Sequence, residues 1–68
     1  MLQAFKSNDG KLAPFTSITQ AYKDGSYFIQ LLIMGRSERL AYFFKYKEER
    51  DQQFDNFEKW LTIKTNSI

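Results

Sequence analysis

The sequence contains no cysteine and no histidine. The first absence excludes disulfides and thiolate metal sites, and it fits a reducing compartment. The second removes the commonest metal ligand and the commonest general base at neutral pH. Proline occurs once and glycine three times. The glycines are scattered among turn signals, so no glycine loop is present to cradle a phosphate. No apolar run approaches the roughly 18 residues needed to cross a bilayer. The opening residues Met1-Leu2-Gln3-Ala4-Phe5-Lys6 carry no apolar signal-peptide core. Together these gaps predict a soluble, cytoplasmic protein with no membrane partner.

Catalytic constellations are equally sparse. Ser7, Ser17, Ser26, Ser37 and Ser67 have no histidine to activate them, and no G-x-S-x-G elbow occurs. The carboxylates cluster at Glu48, Glu49, Asp51, Asp55 and Glu58. Their spacing lacks the glycine of a calcium loop and suits the solvated face of a helix. The sequence therefore predicts no enzymatic activity, no cofactor, no metal and no small-molecule substrate.

What remains is short and aromatic. Sixty-eight residues make one domain, and a chain of this size buries only about 60% of its unfolded surface. With disulfides and metals excluded, self-association is the supplement left, which predicts a homodimer. Aromatic residues reach 18%, as seven Phe, four Tyr and one Trp. Such rings give a short chain the most burial per residue. Charge is uneven: residues 1–47 carry seven basic side chains against three acidic, whereas residues 48–68 carry three against five. A basic front and an acidic end polarise the molecule.

Turn signals lie at Asp9-Gly10, at Asp24-Gly25 and at Gly35-Arg36-Ser37-Glu38. Between them fall four strand candidates, about 2–7, 11–23, 26–34 and 39–47. Pro14 places part of the second strand at an edge or bulge, so residues 16–19 can begin a new straight segment. From about 49 to 62 the period changes: Phe54, Phe57 and Leu61 form one helical stripe. Glu48, Glu49 and Asp51 favour the positive end of that helix. The pattern predicts an α+β fold, a four-stranded antiparallel β-meander followed by one C-terminal α-helix packed on one face (ββββα). The domain spans 1–63, with 64–68 a frayed tail.

Turn length sets register, and register sets which side chains share a face. Two-residue turns at Asp9-Gly10 and Asp24-Gly25 pair Ala4 with Phe15 and Tyr22 with Tyr27. A four-residue turn at 35–38 pairs Leu32 with Ala41. One face then collects Phe5, Leu12, Pro14, Ile18, Tyr22, Tyr27, Ile29, Leu31, Ile33, Leu40, Tyr42, Phe44 and Tyr46, and this is the expected core. The other collects Leu2, Ala4, Lys6, Ala13, Phe15, Ser17, Thr19, Ala21, Lys23, Phe28, Gln30, Leu32, Met34, Arg39, Ala41, Phe43, Lys45 and Lys47. That second face is basic, aromatic and free of acid, unlike an ordinary solvated sheet face.

The second face is the candidate site. Phe15, Phe28 and Phe43 form a platform on which unpaired bases can stack, and Lys6, Lys23, Arg39, Lys45 and Lys47 reach phosphates. The same face can also serve as a dimer or partner seam, with Phe28, Leu32, Met34 and Phe43 at its apolar centre. Trp60 lies beside the helical stripe, where it meets the sheet margin or anchors a partner. The function expected first is a homodimeric module binding nucleic acid, single strands preferred. The alternative is a small protein inhibitor or regulator, of the kind mobile elements and phages encode, that blocks a larger protein, with its acidic helix as the contact.

Overall fold

The computed structural model describes residues 3–66, with side chains described to Lys64. The chain is α+β, a C-terminal helix packed on antiparallel sheets. There are two sheets instead of one meander. Strands β1 (Ala4–Lys6) and β2 (Leu12–Pro14) form a hairpin. A 3-10 turn over Phe15–Ser17 follows. Then β3 (Ile18–Asp24), β4 (Phe28–Ile33) and β5 (Arg39–Phe43) form a three-stranded sheet in the order β3-β4-β5. Helix α1 (Lys47–Asn66) closes the chain. No helix of the described residues is long and apolar enough to cross a membrane.

Pro14 is the cause of the split. Its fixed φ, −57°, leads the chain into the 3-10 turn, where the Ser17 hydroxyl donates to the Pro14 carbonyl, while Phe15 N–H still closes the ladder on the Gln3 carbonyl. The expected strand over 11–23 is thereby cut in two. The hinge turns the Phe15 ring into the core, where it is 1% exposed.

The first hairpin closes with three loop residues. Ser7 N–H donates to the Lys11 carbonyl and Gly10 N–H to the Ser7 carbonyl. Gly10 takes φ +89°, the left-handed position that ends a three-residue loop and that glycine occupies without a Cβ clash. Phe5 therefore pairs with Ala13 and Ala4 with Pro14. This one-residue shift reverses the faces of β2: Ala13 is buried and Leu12 is 59% exposed, the opposite of the expected assignment.

The second hairpin is corrected in the same way. Asp24 pairs with Phe28, leaving Gly25-Ser26-Tyr27 as the loop. The shift from the expected register is odd in number, so Tyr22 and Tyr27 leave the core and Ala21 packs against it. In β4–β5 the pairing is Phe28 with Phe43 and Leu32 with Arg39. That shift is even, so the expected faces of those two strands stand. Tyr46, also expected in the core, lies beyond β5 and is exposed.

Helix α1 packs against β1 and β4. Phe5, Phe15, Phe57, Ile29, Leu31, Tyr42 and Phe44 make the buried core with Ala13, and Phe54 and Trp60 pack on it. Phe5–Phe15 and Phe15–Phe57 are edge-to-face pairs with centroids 5.2 and 5.1 Å apart, a geometry rings prefer. Leu61, expected in the stripe, is exposed, and Trp60 takes the inward position. The helix begins earlier and runs later than 49–62. Residues 64–66 of the expected tail are helical, while Ser67 and Ile68 lie outside the described residues, as does Leu2.

Candidate binding face on the three-stranded sheet

Helix α1 covers only one side of β3–β5. Successive strand residues point to opposite faces, so the register orders the uncovered side into three rows. Asp24, Phe28 and Phe43 form the first, Tyr22, Gln30 and Ala41 the second, and Gln20, Leu32 and Arg39 the third. Tyr22, Phe28 and Phe43 are 39%, 40% and 43% exposed. Phe28 and Phe43 lie 5.4 Å apart at 56°, with Tyr27 from the loop 6.5 Å from Phe43. Arg39 reaches across the sheet to place its guanidinium 5.4 Å from the Tyr22 ring centre. Gln30 Nε2 donates to Asp24 at 2.9 Å.

Of the site residues expected on this face, Phe28, Leu32, Arg39 and Phe43 are brought together, with Gln30 and Ala41 between them. Phe15 is in the core. Lys23 is on the helix side, with its amine 3.6 Å from Asp51 and 5.4 Å from the centre of the Phe54 ring. Lys6 belongs to β1 in the other sheet, and its backbone exchanges two hydrogen bonds with the Gln53 side chain. Lys45 lies just past β5, over the Tyr46 ring at 5.6 Å. Lys47 opens α1 and meets Asp51 at 3.2 Å. Met34 is exposed at the β4–β5 turn, and Trp60 is partly buried, 5.5 Å from Phe15. The face is therefore aromatic with one arginine, and Asp24 on it corrects the acid-free expectation. Tyr22 and Tyr27 join it because of the three-residue loop. Gly25 stands first in that loop with φ +63°, so the Asp-Gly pair resembles a two-residue turn and offers no sequence cue to the longer one.

No family model, curated protein or solved structure matches the chain. The chemistry of the face thus rests on its own residues.

The acids of α1 lie on the other side of the sheet. Glu48, Glu49, Asp55 and Glu58 are exposed on α1. Asp51 is the charge hub beneath the sheet: Arg50 Nε donates to it at 2.7 Å, and Lys47 and Lys23 approach it. The Arg50 bond first, then that from Lys47, pull its pKa down to about 2, and slight desolvation opposes them. A carboxylate with a lowered folded pKa stabilises the fold above its unfolded value, about 3.9, and that contribution disappears as pH falls through the folded value. Stability is thus expected to decline between about pH 4 and pH 2. Asp51→Asn should flatten its share of that decline in acid titrations followed by circular dichroism. Asp9, lowered chiefly by the Ser7 hydroxyl, adds a share that remains in the variant.

Proposed function

We propose that the protein is a non-enzymatic binding module whose open β3–β5 face takes single-stranded nucleic acid. The observation that carries this is the set of exposed rings, Tyr22, Phe28 and Phe43, on one sheet face beside Arg39. Any base offers a π-face to such rings, and arginine stacks on bases or contacts phosphates. Lys45 lies just beyond Phe43 as a second cation. The carboxylates of α1 are held away from the face, and Asp24 is engaged by Gln30.

Size supports a strand over a globular partner. Three strands about 4.8 Å apart, with same-face residues repeating every ~6.8 Å, give a patch of roughly 300 Å². A stable protein interface uses about 800 Å² on each side. A short run of stacked bases fits the smaller area.

The test is fluorescence anisotropy of a labelled single strand over a salt series. Binding should weaken as salt rises. Phe28→Ala and Phe43→Ala should each lower affinity by about 1–3 kcal/mol. Arg39→Ala should also reduce the salt slope. Absence of salt-sensitive binding refutes the reading. A second reading, a protein regulator acting through the exposed acids of α1, is favoured instead if a specific partner survives nuclease treatment and is lost on neutralising Glu48, Glu49, Asp55 and Glu58.

A further inference from the structure

The two edges of the three-stranded sheet differ. At β5, the first hairpin reaches over: Asn8 N–H donates to the Phe43 carbonyl. At β3, no described strand pairs with the outer side. This strand is the longest in the molecule, seven residues, and an open edge that long is a template for another strand.

Proteins usually guard such edges with proline, with bulges or with charges on the edge strand, inward-pointing ones included. Strand β3 contains no proline. Its one irregularity falls between Ile18 and Gln20, which leaves residues 20–24 in unbroken register with β4. Its one lysine is drawn back under the sheet, with Lys23 held by Asp51 and the Phe54 ring. The two charges on the straight part of the edge, Lys23 and Asp24, are each engaged within the chain, by Asp51 and by Gln30, and no proline or bulge interrupts residues 20–24.

We infer that β3 pairs antiparallel with β3 of a second copy, joining two three-stranded sheets into one of six strands. The two-fold axis passes beside Tyr22, the midpoint of residues 20–24. Tyr22 then faces Tyr22 of the other copy, Asp24 faces the Gln20 amide, and Lys23 faces Ala21. No like charges oppose each other, and aromatic cross-strand pairs are favourable. A second copy fits better than an unrelated strand because the two-fold arrangement pairs two open edges at once. The two open faces become continuous, with the rings of both copies in one band. The inference goes beyond the nucleic-acid reading and does not depend on it.

The test needs no nucleic acid. Sedimentation of the full chain, from about ten micromolar to about one millimolar, should show the mass rising from one chain toward two, as a small interface requires. Proline is then placed at neighbouring sites, Gln20→Pro and Ala21→Pro. Adjacent residues point their N–H groups alternately toward β4 and away. The variant whose lost N–H faced outward should stay folded and remain a single chain at every concentration. Hydrogen exchange of the native chain gives a readout without substitution: in residues 20–24, outward amides should slow as concentration rises. A single-chain mass throughout overturns the inference, as does dimerisation of the folded variant whose lost N–H faced outward. So does exchange in residues 20–24 that is independent of concentration. If dimerisation is instead lost on Phe28→Ala or Phe43→Ala, the contact is face to face and the edge pairing is wrong.

Discussion

Phe15→Ala is expected to remove about 3–5 kcal/mol of stability, the usual cost of truncating a buried phenylalanine. The ring is 1% exposed and is shared by three elements. It meets Phe5 of β1 edge-on, Phe57 of α1 edge-on, and Trp60 one helical turn further at 5.5 Å. No other side chain ties the 3-10 turn to the helix through so many rings. At about 0.05–0.15 kcal/mol per residue, a chain of this length has total stability near the size of the loss. Urea melts should therefore show a variant that is marginal or unfolded at 25 °C. Phe28→Ala, on the open face, should change stability by about 0.5–1 kcal/mol at most, as surface substitutions do. The contrast is decisive because the two-residue first turn places both rings on the same outer face. Equal, small losses for both variants would restore that arrangement and would contradict the packing around Phe15.

The contrast also shows where the sequence was readable. Composition and period were sufficient for an α+β chain with a C-terminal helix, since Phe54 and Phe57 repeat helically and the strand runs do not. The faces depended on turn length, and there an error of one residue reverses a whole strand. Ser7-Asn8-Asp9-Gly10 did carry a usable signal, because glycine as the third loop residue suits the left-handed end of a three-residue turn. Asp24-Gly25 carried none, as its glycine comes first. Phe28, Leu32, Arg39 and Phe43 kept their common face because the register of β4 and β5 moved by an even number. Lys23 and Tyr22 lay on a strand whose register moved by an odd number, and each changed sides, whereas Phe15 left its strand for the 3-10 turn and swung into the core. Trp60 and Leu61 exchanged roles because the core they meet includes the relocated Phe15. Arg50 had no local signal at all. In a periodicity reading it is one more charge among Glu48, Glu49 and Asp51, whereas the groups that bury it come from a hairpin about 25 residues earlier.

That hairpin makes Arg50 the second large effect. The residue is 3% exposed and sits in the first turns of α1. Its Nη1 donates to the carbonyls of Gly25 and Phe28, both at 3.1 Å, while Nε donates to Asp51. One guanidinium thus fastens the helix start to the β3–β4 turn, the part of the chain that displays Tyr27 and Phe28. Hydrogen bonds from a charged donor contribute about 1.5–3 kcal/mol each, and removing the donor leaves acceptors that water reaches only if the turn opens. Asp51 is partly exposed, so its share is screened and the estimate rests on the two carbonyls. Arg50→Ala is expected to cost about 2–4 kcal/mol and to speed hydrogen exchange at residues 25–28 ahead of the rest of the sheet. Arg50→Met separates packing from polarity: it retains an apolar stem, so any loss it shows belongs to the hydrogen bonds. Arg50→Lys keeps the charge on a shorter, single-headed donor that cannot span two carbonyls and a carboxylate together, and should fall between wild type and Arg50→Met. If the open face takes single strands as proposed, Arg50→Lys should also weaken that binding without altering the salt slope, because it loosens the turn beside the face and removes no phosphate contact. If Arg50→Met proved as stable as the wild type, the guanidinium would be packing material and the turn would be held by β3–β4 pairing alone.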